Sequence, residues 1–165
     1  MTTFDLIVRV VHVLSASIWI GAAFFAGWFL MPAIRDTGPD GGKVMMAVQK
    51  RGWVAVVPII ATLTVLSGFW LYRPYMGAEG NAAKILGFGG VIALVAYICG
   101  AGVVSPAMAK ATRLAPQAAA MTDGAAKAAA MAQVAALRQR ALTFARIVSI
   151  LVILSATLMT IAAYV

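Results

Sequence analysis

The sequence predicts an all-α integral membrane protein, a bundle of four transmembrane helices with a helical cytoplasmic extension between the third and the fourth. Three observations predict it. The 165 residues are 63% hydrophobic and only 11% charged, with a mean hydropathy of +0.96, whereas a soluble domain is roughly 45–50% apolar. The charges gather in short segments between apolar runs. Four of those runs, at about 10–31, 53–72, 84–105 and 143–165, reach the roughly 20 residues that a spanning helix needs. Residues 1–165 therefore form a single membrane domain.

The first run, Val10 to Met31, has no internal charge, and Pro32 marks its end. It is longer than the apolar core of a secretory signal. The second, Trp53 to Tyr72, is bracketed by Lys50 and Arg51 on one side and by Arg73 and Pro74 on the other. Its Trp53, Trp70 and Tyr72 suit the two membrane interfaces. The third, Lys84 to Ser105, holds Gly87, Gly89, Gly90, Gly100 and Gly102, which lets its backbone approach neighbours and predicts the most enclosed helix. Ahead of the fourth, Ala115 to Leu142 is Ala-rich and helix-favouring, with Asp123 as an N-cap. The fourth run, Thr143 to Val165, ends without a charged tail.

The net charge of +8 reports topology. Arg35, Lys43, Lys50 and Arg51 lie in the first loop and Lys110, Arg113, Lys127, Arg138 and Arg140 in the third, against only Arg73 and Lys84 in the second. The positive-inside rule makes the two basic loops cytoplasmic and both termini extracytoplasmic, in the plasma (inner) membrane. Partners are the lipid bilayer and a second copy or a larger membrane complex; no nucleic-acid motif, phosphate loop or internal repeat is present. A lone Cys99 excludes an internal disulfide framework.

An ionisable side chain inside a spanning helix is expensive and marks function by default. His12 is the one clearly internal residue of this kind, with Lys84 and Arg9 near helix ends. His12 and Lys84 share a depth in the extracytoplasmic half, beside Arg73, Tyr72, Trp70 and Glu79. A neutral imidazole is a haem ligand, and haem b needs one or two axial groups in an apolar slot. Lys84, Met76, or His12 of a second subunit are the options for the second position. The structural alternative is that His12 bonds a facing helix while Lys84 snorkels to the headgroups. Nine methionines raise copper, since thioethers suit Cu(I), although packing explains scattered methionines. The acids Asp5, Asp36, Asp40, Glu79 and Asp123 all sit at ends or in loops, which disfavours carboxylate chemistry within the bilayer. Ser15, Ser17, Thr62, Thr64 and Ser67 read as interhelical hydroxyls rather than a polar path.

The first helix reads His12-Val-Leu-Ser-Ala-Ser-Ile-Trp19-Ile-Gly21, followed by Phe24, Phe25 and Pro32; the third opens Ala83-Lys84-Ile-Leu, with Tyr97 further along. This pattern, over about Ile7 to Met108, resembles the group of small membrane proteins containing the copper-resistance D family and the HemJ-type protoporphyrinogen oxidases. The HemJ-type resemblance implies a haem b held by His12 and Lys84, with Trp19 in the same motif, and electron transfer or tetrapyrrole oxidation by an oxidoreductase. With Arg73 nearby, these four residues form the expected cofactor set. The copper-resistance branch implies movement of copper into the cytoplasm; an accessory subunit without its own cofactor is the third expectation.

Overall fold

The computed structural model describes residues 2–165, the Pro39 side chain excepted, and every regular element among them is helical. The first span is continuous from Thr3 to Asp36. It comprises α1 (Thr3–Phe25), a π-helical turn (Ala26–Leu30) and α2 (Met31–Asp36). A short α3 (Gly41–Lys50) leads to the second span, α4 (Trp53–Tyr72). The third span joins α5 (Asn81–Cys99), a second π-helical turn (Gly100–Val104) and α6 (Ser105–Ala120). The fourth is α7 (Gly124–Ile161), whose 38 residues give a rod about 57 Å long, nearly twice the thickness of a hydrocarbon core.

Local chemistry accounts for the ends. Thr2 and Asp5 form a reciprocal capping box at the start of α1, the Thr2 hydroxyl accepting from the Asp5 N–H and the Asp5 carboxylate from the Thr2 N–H. The Asp123 carboxylate accepts from the N–H groups of Ala125 and Ala126 at 2.9 and 3.3 Å, the N-cap expected from sequence. Pro32 does not end the first helix. Proline is tolerated near a helix start, and the π-helical turn in front of it acts as a fresh start, so the helix runs on to Asp36.

The spans form a closed ring of neighbours: α1 packs on α4 and α7, and α5 packs on α4 and α7, leaving α1 and α5 on a diagonal. The fourth span, not the third, is the most enclosed. It buries Ala141, Leu142, Ala145, Val148, Ser149, Val152 and Ser155, whereas α5 buries Ala83, Gly89 and Ala96. Only some of the third span's glycines serve close contact: a methyl at Gly89 would meet Met159 and the Ser155 carbonyl, each at 3.3 Å, but Gly90, Gly100 and Gly102 face open space. Beyond its apolar run the third helix continues as α6, which pairs with the first half of α7 through Ala107, Met108, Ala111 and Ala118. This hairpin is the helical extension, braced by α3 through a 2.6 Å Gln49–Thr112 hydrogen bond.

The outer surface is apolar. Leu14, Ile18, Ile59, Leu66, Phe88, Val91, Ile98 and Ile150 are all exposed. Their placement on four helices long and apolar enough to cross a membrane makes lipid the solvent that such a surface suits.

Candidate functional site

At the end of the bundle that carries the termini, α1 presents Val8, His12, Ser15, Trp19 and Ala23 at helical spacing as its inward stripe, with Ser15, Trp19 and Ala23 buried. α4 answers with Ala61, Thr64 and Ser67. His12 is half-buried between them, its Nδ1 lying 2.9 Å from the Thr64 carbonyl oxygen and 3.1 Å from Ser67 Oγ. A carbonyl only accepts, so Nδ1 carries the proton and Nε2 of the neutral ring keeps its lone pair. No protein partner reaches Nε2 among the described residues. Every fully buried side-chain nitrogen and oxygen there has a partner, so Nε2 is open to its surroundings. Gly68 makes room for the ring, since a methyl at that position would stand 2.9 Å from His12 Cε1. The Thr64 hydroxyl donates to Ser15 Oγ at 2.9 Å, and Ser15 donates to the His12 carbonyl at 3.2 Å, closing a polar seam between the two helices.

The rim above His12 is aromatic and charged. Phe4 meets Trp70 edge-on, and the Arg73 guanidinium lies 3.3 Å above the Trp70 ring. Trp70 Nε1 donates to Asp5 at 3.3 Å. Arg73 thus belongs to the same end as His12 but is engaged with Trp70. Lys84 is placed differently. It is exposed on the stripe Lys84, Phe88, Val91, Val95 and Ile98, which faces away from the bundle. With α1 and α5 on the diagonal, the fold does not bring Lys84 inward beside His12.

Trp19, 5% exposed, belongs to the central core with Ala61, Ala96, Val148 and Val152. Seven residues beyond His12, it stands about 10 Å deeper along the helix. There it forms the floor of a cavity of about 100 Å³ toward the basic-loop end. Trp53, Pro58, Tyr97 and three methionines distant in sequence, Met31, Met45 and Met108, line the same cavity, which does not reach His12. Met45 and Met108 also pack in a second core cluster with Ile34, Ala107 and Ala141. Cys99 packs beside the central core as a small apolar residue.

One residue overlooked in the sequence is Arg146, a second ionisable group within the apolar runs. Its Nε donates to the Gly27 carbonyl at 3.1 Å and its guanidinium lies 5.1 Å from the Trp28 ring. Trp28 Nε1 in turn donates to Ser149 Oγ at 2.9 Å, and Ser149 donates to the Arg146 carbonyl at 2.8 Å. The signal was in plain view: a cation three residues into the fourth apolar run, where charge is costly unless paired. Among the described residues no cluster of three His, Cys, Asp or Glu side chains converges as a metal site. Compared with known protein families, curated proteins and solved structures, the chain matches none.

Proposed function

We propose that this chain is a multi-pass membrane protein that carries haem b on His12 and takes part in electron transfer. One observation supports the reading above the others: His12 Nδ1 is tied to the Thr64 carbonyl while Nε2 is left open and without a protein partner. That is the arrangement by which a protein fixes the tautomer and aim of a ligating imidazole.

The donor fits the group; enclosure by one chain does not. The 100 Å³ cavity lies elsewhere and is well below the roughly 300–1,000 Å³ of sites for drug-sized ligands. Lys84 on the outward stripe serves as an interfacial anchor in this reading, and further enclosure of the group would have to come from another copy or another membrane subunit. Bound haem supplies one-electron redox chemistry at a potential set by its axial ligands and surroundings. The chain's own residues do the rest. Thr64 and Ser67 hold the ring, Gly68 admits it, and Phe4, Trp70 and Arg73 pack together as the rim of that end. Placing the basic loops in the cytoplasm puts His12 in the extracytoplasmic half. Oxidation of a reduced tetrapyrrole is the narrower activity within this reading.

Purified protein from haem-replete cells is expected to show a Soret band and a b-type pyridine haemochrome, both lost in His12→Ala. A colourless wild-type preparation contradicts the proposal. A second reading, copper handling, draws support from the convergence of Met31, Met45 and Met108 on one cavity. Stoichiometric copper without a Soret band, abolished by Met45→Leu and Met108→Leu together, would favour it.

A further inference from the structure

Two of the four spans carry the same local device: a π-helical turn followed, two residues on, by proline. After the first turn the Met31 N–H goes to the Ala26 carbonyl; after the second the Ser105 N–H goes to the Gly100 carbonyl. The next carbonyl along, Gly27 or Ala101, is thereby deprived of its α-helical donor. A π-helical donor would have to come from Pro32 or Pro106, which have no N–H. Each turn therefore leaves one orphan carbonyl inside a spanning segment, where no water compensates for it.

The first orphan is satisfied, because Arg146 Nε donates to the Gly27 oxygen at 3.1 Å. No side chain among the described residues donates to Ala101. A third interruption adds to it: Pro58 within α4 leaves the Val54 carbonyl, four residues back, without its helical donor. Val54 and Ala101 both line the cavity floored by Trp19. Irregular backbone at membrane depth is tolerated where it lines a cavity, and π-helical turns and broken helices recur at binding sites for that reason.

The rest of the lining narrows the occupant. No charged residue borders the cavity, a lining that suits a neutral occupant. Rings of Trp19, Trp53, Tyr97 and Pro58 form much of its wall, with thioethers of adaptable shape, aliphatic side chains and the polar Gln49 and Ser105 making up the rest. Its volume of about 100 Å³ is of the order of the ~150 Å³ engineered cavity that accepts benzene. An acceptor without a donor calls for a ligand that brings its own. We propose that this cavity binds a neutral single-ring molecule from the lipid phase, a phenol or similar ring alcohol, that donates its one hydroxyl hydrogen to the orphan carbonyl of Ala101. The site shares no residue with the His12 ligand set and stands independently of it.

The test uses the full chain in detergent micelles with two matched probes, 2,6-dimethylphenol and 1,3-dimethylbenzene, read by saturable shifts in melting temperature and Trp fluorescence. The phenol is expected to bind at least ten-fold more tightly than the hydrocarbon. Pro106→Ala returns an N–H to the backbone without removing a lining side chain, so it is expected to weaken the phenol about five-fold and leave the hydrocarbon unchanged. Ala61→Leu, which projects into the cavity, is expected to abolish saturable binding of both. Equal affinity for the two probes, no saturable binding of either, or phenol affinity indifferent to Pro106→Ala would overturn the proposal.

Discussion

Replacing Gly68 with alanine tests the seating of His12 directly. The new methyl would lie 2.9 Å from Cε1 and 3.4 Å from Nδ1 of the imidazole. Carbon contacts become comfortable only near 3.5 Å, so the ring must retreat by about half an ångström. Retreat stretches the 2.9 Å bond from Nδ1 to the Thr64 carbonyl toward the limit of a useful hydrogen bond. Overpacking of this kind costs about 1–3 kcal/mol, of which the weakened hydrogen bond is about 0.5–1.5 kcal/mol. Against this, alanine improves on glycine within a helix by up to about 1 kcal/mol, so the single variant's net change is small and ambiguous. A double-mutant cycle with His12→Ala removes the ambiguity, because the propensity gain is common to both backgrounds and cancels. Gly68→Ala should stabilise the His12→Ala protein and fail to stabilise the wild type, with a coupling of about 1–3 kcal/mol in reversible unfolding by SDS in mixed micelles. A coupling below about 0.5 kcal/mol would refute the placement of His12 over Gly68.

Further predictions concern the other features. Arg146→Leu strands the Gly27 carbonyl and should cost about 1–3 kcal/mol in the same assay; Pro32→Ala, which returns an N–H at the π position, should recover much of that loss. Lys84→Gln should leave any Soret band unchanged in position and intensity, because Lys84 stands on the outward stripe; a shifted band would place it at the iron. Single cysteines at Thr2 and Met121, in a Cys99→Ala background, should label from opposite sides of the membrane, Thr2 from outside; labelling of both from one side would contradict the four-crossing path.

The spans were legible because each is an apolar run of sufficient length with at most one charge, close to its end, and the Asp123 cap because an acidic residue stands before an Ala-rich stretch. Which face each span turns inward was harder to read. The third is apolar on every side, so nothing in its pattern told that Lys84 shares a stripe with Phe88 and Val91 rather than with Ala83 and Gly87. Its many glycines suggested enclosure, but enclosure follows from neighbours, and α7 touches more of them. His12 was readable as a costly group within an apolar run; its partner Thr64, on another helix, was not, since a backbone carbonyl leaves no mark in composition. The two π-helical turns share a trace that is visible in retrospect: Ala26-Gly27 and Gly100-Ala101, each pair of small residues followed by a proline, Pro32 or Pro106. Proline read alone pointed to helix ends, because the shift to a π turn that accommodates it depends on contacts such as that of Arg146 with Gly27. The convergence of Met31, Met45 and Met108 likewise arises only when three helices meet.

Chemical rescue at His12 tests the central claim most directly. His12→Gly empties the ring's place while leaving the Thr64 carbonyl as an acceptor for a free imidazole N–H. Purified from haem-replete cells, this variant is predicted to be colourless, and to regain a Soret band when haem is added together with imidazole but not with haem alone. A wild-type protein without a Soret band, or a His12→Gly protein that keeps one, would contradict the assignment of His12 as an axial ligand.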